Sequence, residues 1–140
     1  MAIRFFTEDI NYKLAHPRKT SSWIRRAIAK ERAAAGDLNF IFCSDSYLHK
    51  LNKQYLRHDT FTDIVTFDNR LEKGGPIAGD IYISIERVKE NAEKFDQSIE
   101  IELHRVMIHG VLHLLGYRDK KTADKALMRK KEEAYLSLRN

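Results

Sequence analysis

The chain has little of what stabilises or anchors proteins outside the cytoplasm. A single cysteine, Cys43, excludes an internal disulfide and suits a reducing compartment. No apolar run approaches the ~20 residues that cross a bilayer. The opening stretch MAIRFFTEDINYK lacks the basic start, long apolar segment and small-residue cleavage site of a signal peptide. Repeats, low-complexity tracts and linkers are missing too. The 140 residues, 43% of them hydrophobic, are therefore expected to form one domain over residues 1–140 around a single core, in the cytoplasm.

What charge there is comes in clusters. The net charge is only +5, but residues 18–32 hold Arg18, Lys19, Arg25, Arg26, Lys30 and Arg32 against Glu31 alone. The tail holds Lys120, Lys121, Lys125, Arg129, Lys130, Lys131 and Arg139 against Asp124, Glu132 and Glu133. Such clusters suit a phosphate backbone, and they equally suit the solvated faces of amphipathic helices. Charge alone does not choose between the two.

Hydrophobic periodicity predicts an α+β order of elements. Residues 2–7 read as a strand. Residues 20–36 read as a helix capped by Ser21 or Ser22 and stopped by Gly36. Residues 38–44 form a second strand, and Asp45 is placed to cap a helix carrying Tyr47, Leu48, Leu51 and Tyr55. A strand is expected over 62–69, a turn at GGPIAG, and a strand over 80–86 with Ile81, Ile83 and Ile85 on its buried face. Helices follow over 86–95, over 99–115 and, on Ala126, Leu127 and Leu138, over 121–138.

The chemistry concentrates in HGVLHLLGYRD, residues 109–119. Histidines four apart share a helix face, so His109 and His113 can aim ring nitrogens at one ion. Gly116 suits a left-handed helix end, which lets the chain reverse and bring Asp119 beneath them. Two histidines and a carboxylate are a zinc donor set, and three protein ligands leave a fourth position open, as at catalytic sites. His104 falls largely off this face. His16 and His49 have no local partners and read as surface residues.

One residue is conspicuously missing. Zinc proteases of this spacing carry a glutamate after the first histidine as the base for water, and here that position is Gly110. A phosphodiester fits the gap better than a peptide: a metal polarises a phosphoryl oxygen, and RNA brings its own 2′-hydroxyl nucleophile.

On these residues the sequence resembles the YbeY family of bacterial metal-dependent endoribonucleases. Its motif H-G-x-L-H-L-x-G-Y-D-H is met at His109, Gly110, Leu112, His113, Leu114, Gly116 and Tyr117. Upstream, LNKQYLRHDTFTDIVTF is similar to the family's L-N-x-x-Y-R and T-D-V-L-S-F at Leu51, Asn52, Tyr55, Thr62, Asp63 and Phe67, and AGDIYIS is similar to L-G-D-I-x-I-S. The resemblance implies a zincin-like α+β fold, a small mixed sheet packed with helices and a metal site at the end of a long helix. It implies a single zinc ion on His109, His113 and Asp119. The implied function is single-strand-preferring cleavage of ribosomal RNA, in maturation of the 16S 3′ end and in ribosome quality control. The implied partners are ribosomal RNA, ribosomal proteins and assembly GTPases.

Two positions depart from the family pattern. Asp119 stands where the family usually has histidine, which makes the site less positive. Leu56 stands where the family has an active-site arginine; Arg57, one residue later, is the catalytic candidate to replace it. Thr62, Asp63 and Asp80 read as structural. The rival functions are a metal-stabilised ribosome-assembly factor without catalysis and a minimal metalloprotease.

Overall fold

The computed structural model describes residues 2–58 and 60–139. Its strands are β1 (Ile3–Thr7), β2 (Ala35–Cys43), β3 (Ile64–Asp68) and β4 (Ile77–Ser84). Its helices are α1 (Pro17–Lys30), α2 (Asp45–Leu56), α3 (Ile85–Lys94), α4 (Ile99–Leu114) and α5 (Thr122–Leu136). The sheet order is β1-β2-β4-β3, with β1, β2 and β4 parallel and β3 antiparallel at one edge. The small mixed sheet and α+β class predicted above are found.

The central strand β2 carries Leu38, Phe40, Ile41, Phe42 and Cys43 buried, the near-continuous apolar run of a parallel strand covered on both faces. On one face, Phe40, Phe42, Ile81 and Ile83 pack with Trp23, Ile24 and Ile28 of α1 and Leu103, Met107, Ile108 and Val111 of α4. On the other, Cys43 and Val65 pack with Leu48 of α2, beside Tyr47, Leu51, Phe67 and Tyr82. Each fully buried Phe, Ile or Leu stabilises the fold by roughly 1.5–3 kcal/mol, so α4, buried along most of its length, is fixed firmly on the sheet.

Several boundaries differ from the sequence reading, each for a physical reason. Helix α1 starts at Pro17, whose fixed φ and missing N–H suit the first turn; Ser21 and Ser22 lie inside it. It ends at Lys30, before Arg32 takes a left-handed φ of 58°. Gly36 belongs to β2, where an added Cβ would stand 2.8 Å from the carbonyl oxygen of Ile77 on the neighbouring strand. Ser44, not Asp45, caps α2 by accepting from the Tyr47 N–H, and the Asp45 carboxylate pairs with Arg87 at 2.8 Å. Strand β4 takes in Ile77–Gly79 from the expected turn and stops at Ser84, which caps α3, so Ile85 is buried from a helix. In α5 the inward face is Met128, Glu132 and Tyr135, whereas Ala126 and Leu127 face outward.

Candidate metal centre

Helix α4 brings the two histidines to its C-terminal end. It begins with Ser98 as N-cap, accepting from Ile101, and Glu100 and Glu102 sit in the first turn, where carboxylates favour the helix dipole. The helix ends at Leu114, and Gly116 takes φ 106°. That conformation suits glycine and turns the chain back. Asp119 returns beneath the helix, as predicted.

Three acceptor atoms then converge. His109 Nε2 lies 2.9 Å from His113 Nε2, and Asp119 Oδ2 lies 3.3 Å and 3.2 Å from them respectively. Donors held about 2.0–2.1 Å from a tetrahedral ion stand roughly 3.3–3.4 Å apart, so this triangle is close to one face of such a site. The ring orientation supports the same use. His109 Nδ1 faces the Glu132 carboxylate at 2.6 Å, and His113 Nδ1 faces the Tyr117 carbonyl at 3.0 Å. Both partners only accept, so each neutral ring carries its hydrogen on Nδ1 and turns the Nε2 lone pair toward the other two ligand atoms. His109, His113 and Asp119 can thus hold a metal ion, and the donor set fits one.

The electrostatics fit as well. Burial works against a proton on His109, but hydrogen bonding and charge from Glu132, with Asp119 and Asp63, raise its pKa above the ordinary value. A cluster that attracts a proton this way also attracts a cation, and metal binding would displace that proton. Glu132 is itself held: Arg105 lies 3.5 Å from it and 2.7 Å from Glu133, and reaches Glu102 at 3.7 Å. The cleft over the site, about 260 Å³, is lined by His109, Asp119, Lys125, Met128, Arg129 and Glu132.

Gly110 has a structural reason. A Cβ there would stand 2.9 Å from Ile64 Cδ1 and 3.0 Å from Ile81 Cγ2, so α4 lies close on the sheet and a side chain at this position would have to displace these two isoleucines. The position that carries the glutamate base in zinc proteases is spent on packing.

The other candidates fall as follows. Arg57 ends α2 with a left-handed φ of 57° and is exposed; it does not line the metal cleft. The matched Asn52 pins the loop beyond it: its carbonyl accepts from the His58 N–H and its amide donates to the Thr60 carbonyl at 3.0 Å. Thr62 donates to the Ile64 carbonyl, and Asp80 accepts from Asn39, both structural roles. Asp63, whose carboxyl is pushed up by burial, lies in the field of His109. His104 is buried and pairs with Arg139 at 2.7 Å, away from the ligands. His16 is exposed just before α1, but His49 stacks on Phe61 at 4.1 Å and is half-buried, not a surface residue. The basic cluster of α1 borders a separate hollow formed by Arg18, Lys19, Ser22 and Arg26.

Sequence reasoning missed Glu132, which was counted only as a tail charge. Its signal was present: a carboxylate four residues after Met128 and three before Tyr135, on the buried stripe of α5.

A mixed sheet carrying a helix that ends in two histidines, with a carboxylate folded back under them, suits a metal-dependent hydrolase that lacks the protease glutamate. The profile of the family described as Endoribonuclease YbeY matches residues 3–140. A curated relative of that name from Cytophaga hutchinsonii is 50% identical over 137 residues, covering 98% of this chain and 95% of its own. One from Christiangramia forsetii is 49% identical over 136 residues, covering 97% and 93%. A solved structure, the solution structure of TM1509 from Thermotoga maritima, is 28% identical with a TM-score of 0.65, covering 97% of this chain and 87% of that one. The chain belongs to the Endoribonuclease YbeY family and so to the nucleases, hydrolases that cut RNA. Among the described residues no helix is long and apolar enough to cross a membrane.

Proposed function

We propose that the chain, acting as one domain in the cytoplasm, is a zinc-dependent endoribonuclease that cuts single-stranded ribosomal RNA. The reading extends to maturation of the 16S 3′ end and ribosome quality control, with ribosomal proteins and assembly GTPases as partners. The observation that carries it is the convergence of His109 Nε2, His113 Nε2 and Asp119 Oδ2 with both Nδ1 atoms committed elsewhere.

When bound, zinc supplies a Lewis acid for a phosphoryl oxygen and lowers the pKa of water. The chain's own residues do the rest. His109 and His113 hold the ion on one helix face, and Asp119 adds a negative ligand that tempers its charge. Glu132 fixes the His109 ring and makes it more basic. With glycine at position 110, the chain supplies no protease-type base there, which suits a substrate that carries a 2′-hydroxyl. Water or that hydroxyl is the nucleophile. Arg57 is assigned an accessory contact to RNA from the exposed end of α2.

The test is cleavage of precursor small-subunit ribosomal RNA by zinc-loaded wild type beside His113→Ala, with metal content read on both. Cutting and metal should disappear together in the variant. Equal cutting by both would remove the site from the reaction. Metal held by the wild type alone, with no cutting by either, would move the reading to an assembly factor.

A further inference from the structure

Helix α5 presents Lys125, Met128, Arg129 and Glu132 at intervals of three and four, hence along one face. Met128 and Glu132 are buried, and Glu132 ends on His109. Lys125 and Arg129 are exposed and line the metal cleft with His109 and Asp119. Neighbouring cations are already occupied: Lys131 pairs with Glu31 at 3.0 Å, and Arg105 is shared among three glutamates. Lys125 and Arg129 make no side-chain hydrogen bond or ion pair among the described residues, although Glu102 lies in the field of Arg129.

A phosphodiester entering this cleft meets the carboxylates of Asp119 and Glu132. Two unpaired cations one helical turn apart on the same wall offset that repulsion and offer complementary recognition, since a guanidinium forks onto phosphate oxygens and an ammonium acts as a point charge. We propose that Lys125 and Arg129 clamp the RNA backbone beside the metal centre, holding the phosphates that flank the cut. The proposal rests on the endoribonuclease reading, and it assigns to two particular residues a task that clustered charge alone could not locate. The α1 cluster, around its own hollow, takes no part.

The test uses the zinc-loaded full chain and a single-stranded 2′-O-methyl RNA oligonucleotide, with affinity measured across a salt series. Lys125→Gln/Arg129→Gln is compared with Arg18→Gln/Arg26→Gln, and cleavage of unmodified RNA and zinc content are read on every sample. Removing one cation that neutralises a single-strand phosphate flattens the slope of log K against log salt by about 0.7. The clamp variant should therefore show a slope shallower by ~1.4 and a raised KM, while zinc content stays level. The α1 variant should keep the wild-type slope. Unchanged slope in the clamp variant, an equal fall in the α1 variant, or a joint fall of zinc content and affinity would each overturn the clamp and leave the endoribonuclease reading in place. A wild type that neither binds nor cuts RNA overturns both.

Discussion

His104 and His109 stand five residues apart on the same helix, both largely enclosed, yet their surroundings drive them in opposite directions. Burial and the nearby Arg139 guanidinium push His104 down to about 4, so it stays neutral and accepts from that arginine. Burial also opposes charge on His109, but Glu132, with Asp119 and Asp63, more than reverses it. Both partners come from the C-terminal segment, Glu132 within α5 and Arg139 just beyond it. Helix α4 thus places its imidazoles by backbone periodicity, and the segment packed against it sets the opposite directions in which the two are shifted.

That contrast can be tested by removing each half. The largest effect is expected from the rings. His109→Ala should abolish zinc binding and RNA cleavage, whereas His104→Gln should leave both near wild type while lowering the melting temperature. Equal loss of zinc in the two variants would erase the distinction.

Next come the partners. Glu132→Gln removes the carboxylate behind His109 and should weaken zinc affinity about 10–100-fold, read by competition with a chelator. Arg139→Gln, its counterpart behind His104, should leave zinc affinity unchanged.

A smaller effect is expected where α4 meets the sheet. Gly110→Ala would press a methyl on Ile64 and Ile81 and should cost about 1–3 kcal/mol in urea unfolding. A stabilising outcome would mean that the Ile64 and Ile81 side chains give way, leaving alanine's advantage over glycine in a helix, about 1 kcal/mol, to dominate.

The smallest is a pH effect, best measured on the chelated protein. Folded His104 titrates at about 4, below the ordinary value of 6.5, so between those values the unfolded chain takes up a proton that the folded chain refuses. Its contribution to stability is intact above pH 6.5, falls as pH drops toward 4 and then levels. His104→Gln should flatten this part of the stability curve.

The same contrast explains what the sequence could disclose. The convergence of His109, His113 and Asp119 was legible because one helix and the turn at Gly116 set it, both governed by local geometry. Glu132 and the Lys125–Arg129 pair were not, because their part depends on how α5 docks. The α5 stripe was misplaced onto Ala126 and Leu127, since a helix rich in lysine and glutamate gives little contrast between its faces. Gly36 misled for a related reason: glycine marks helix ends, but it also marks close strand contacts, and only the sheet shows which. Fold class and the order of elements were legible because β2 and α4 are long and strongly apolar.

The most direct test of the account is a zinc titration of the metal-free chain against a chromophoric chelator, wild type beside His113→Ala. One ion per wild-type chain, absent from a variant that remains folded, is the result the account predicts. A wild type that takes up no zinc, or a variant that holds it as tightly, would contradict the account at its centre.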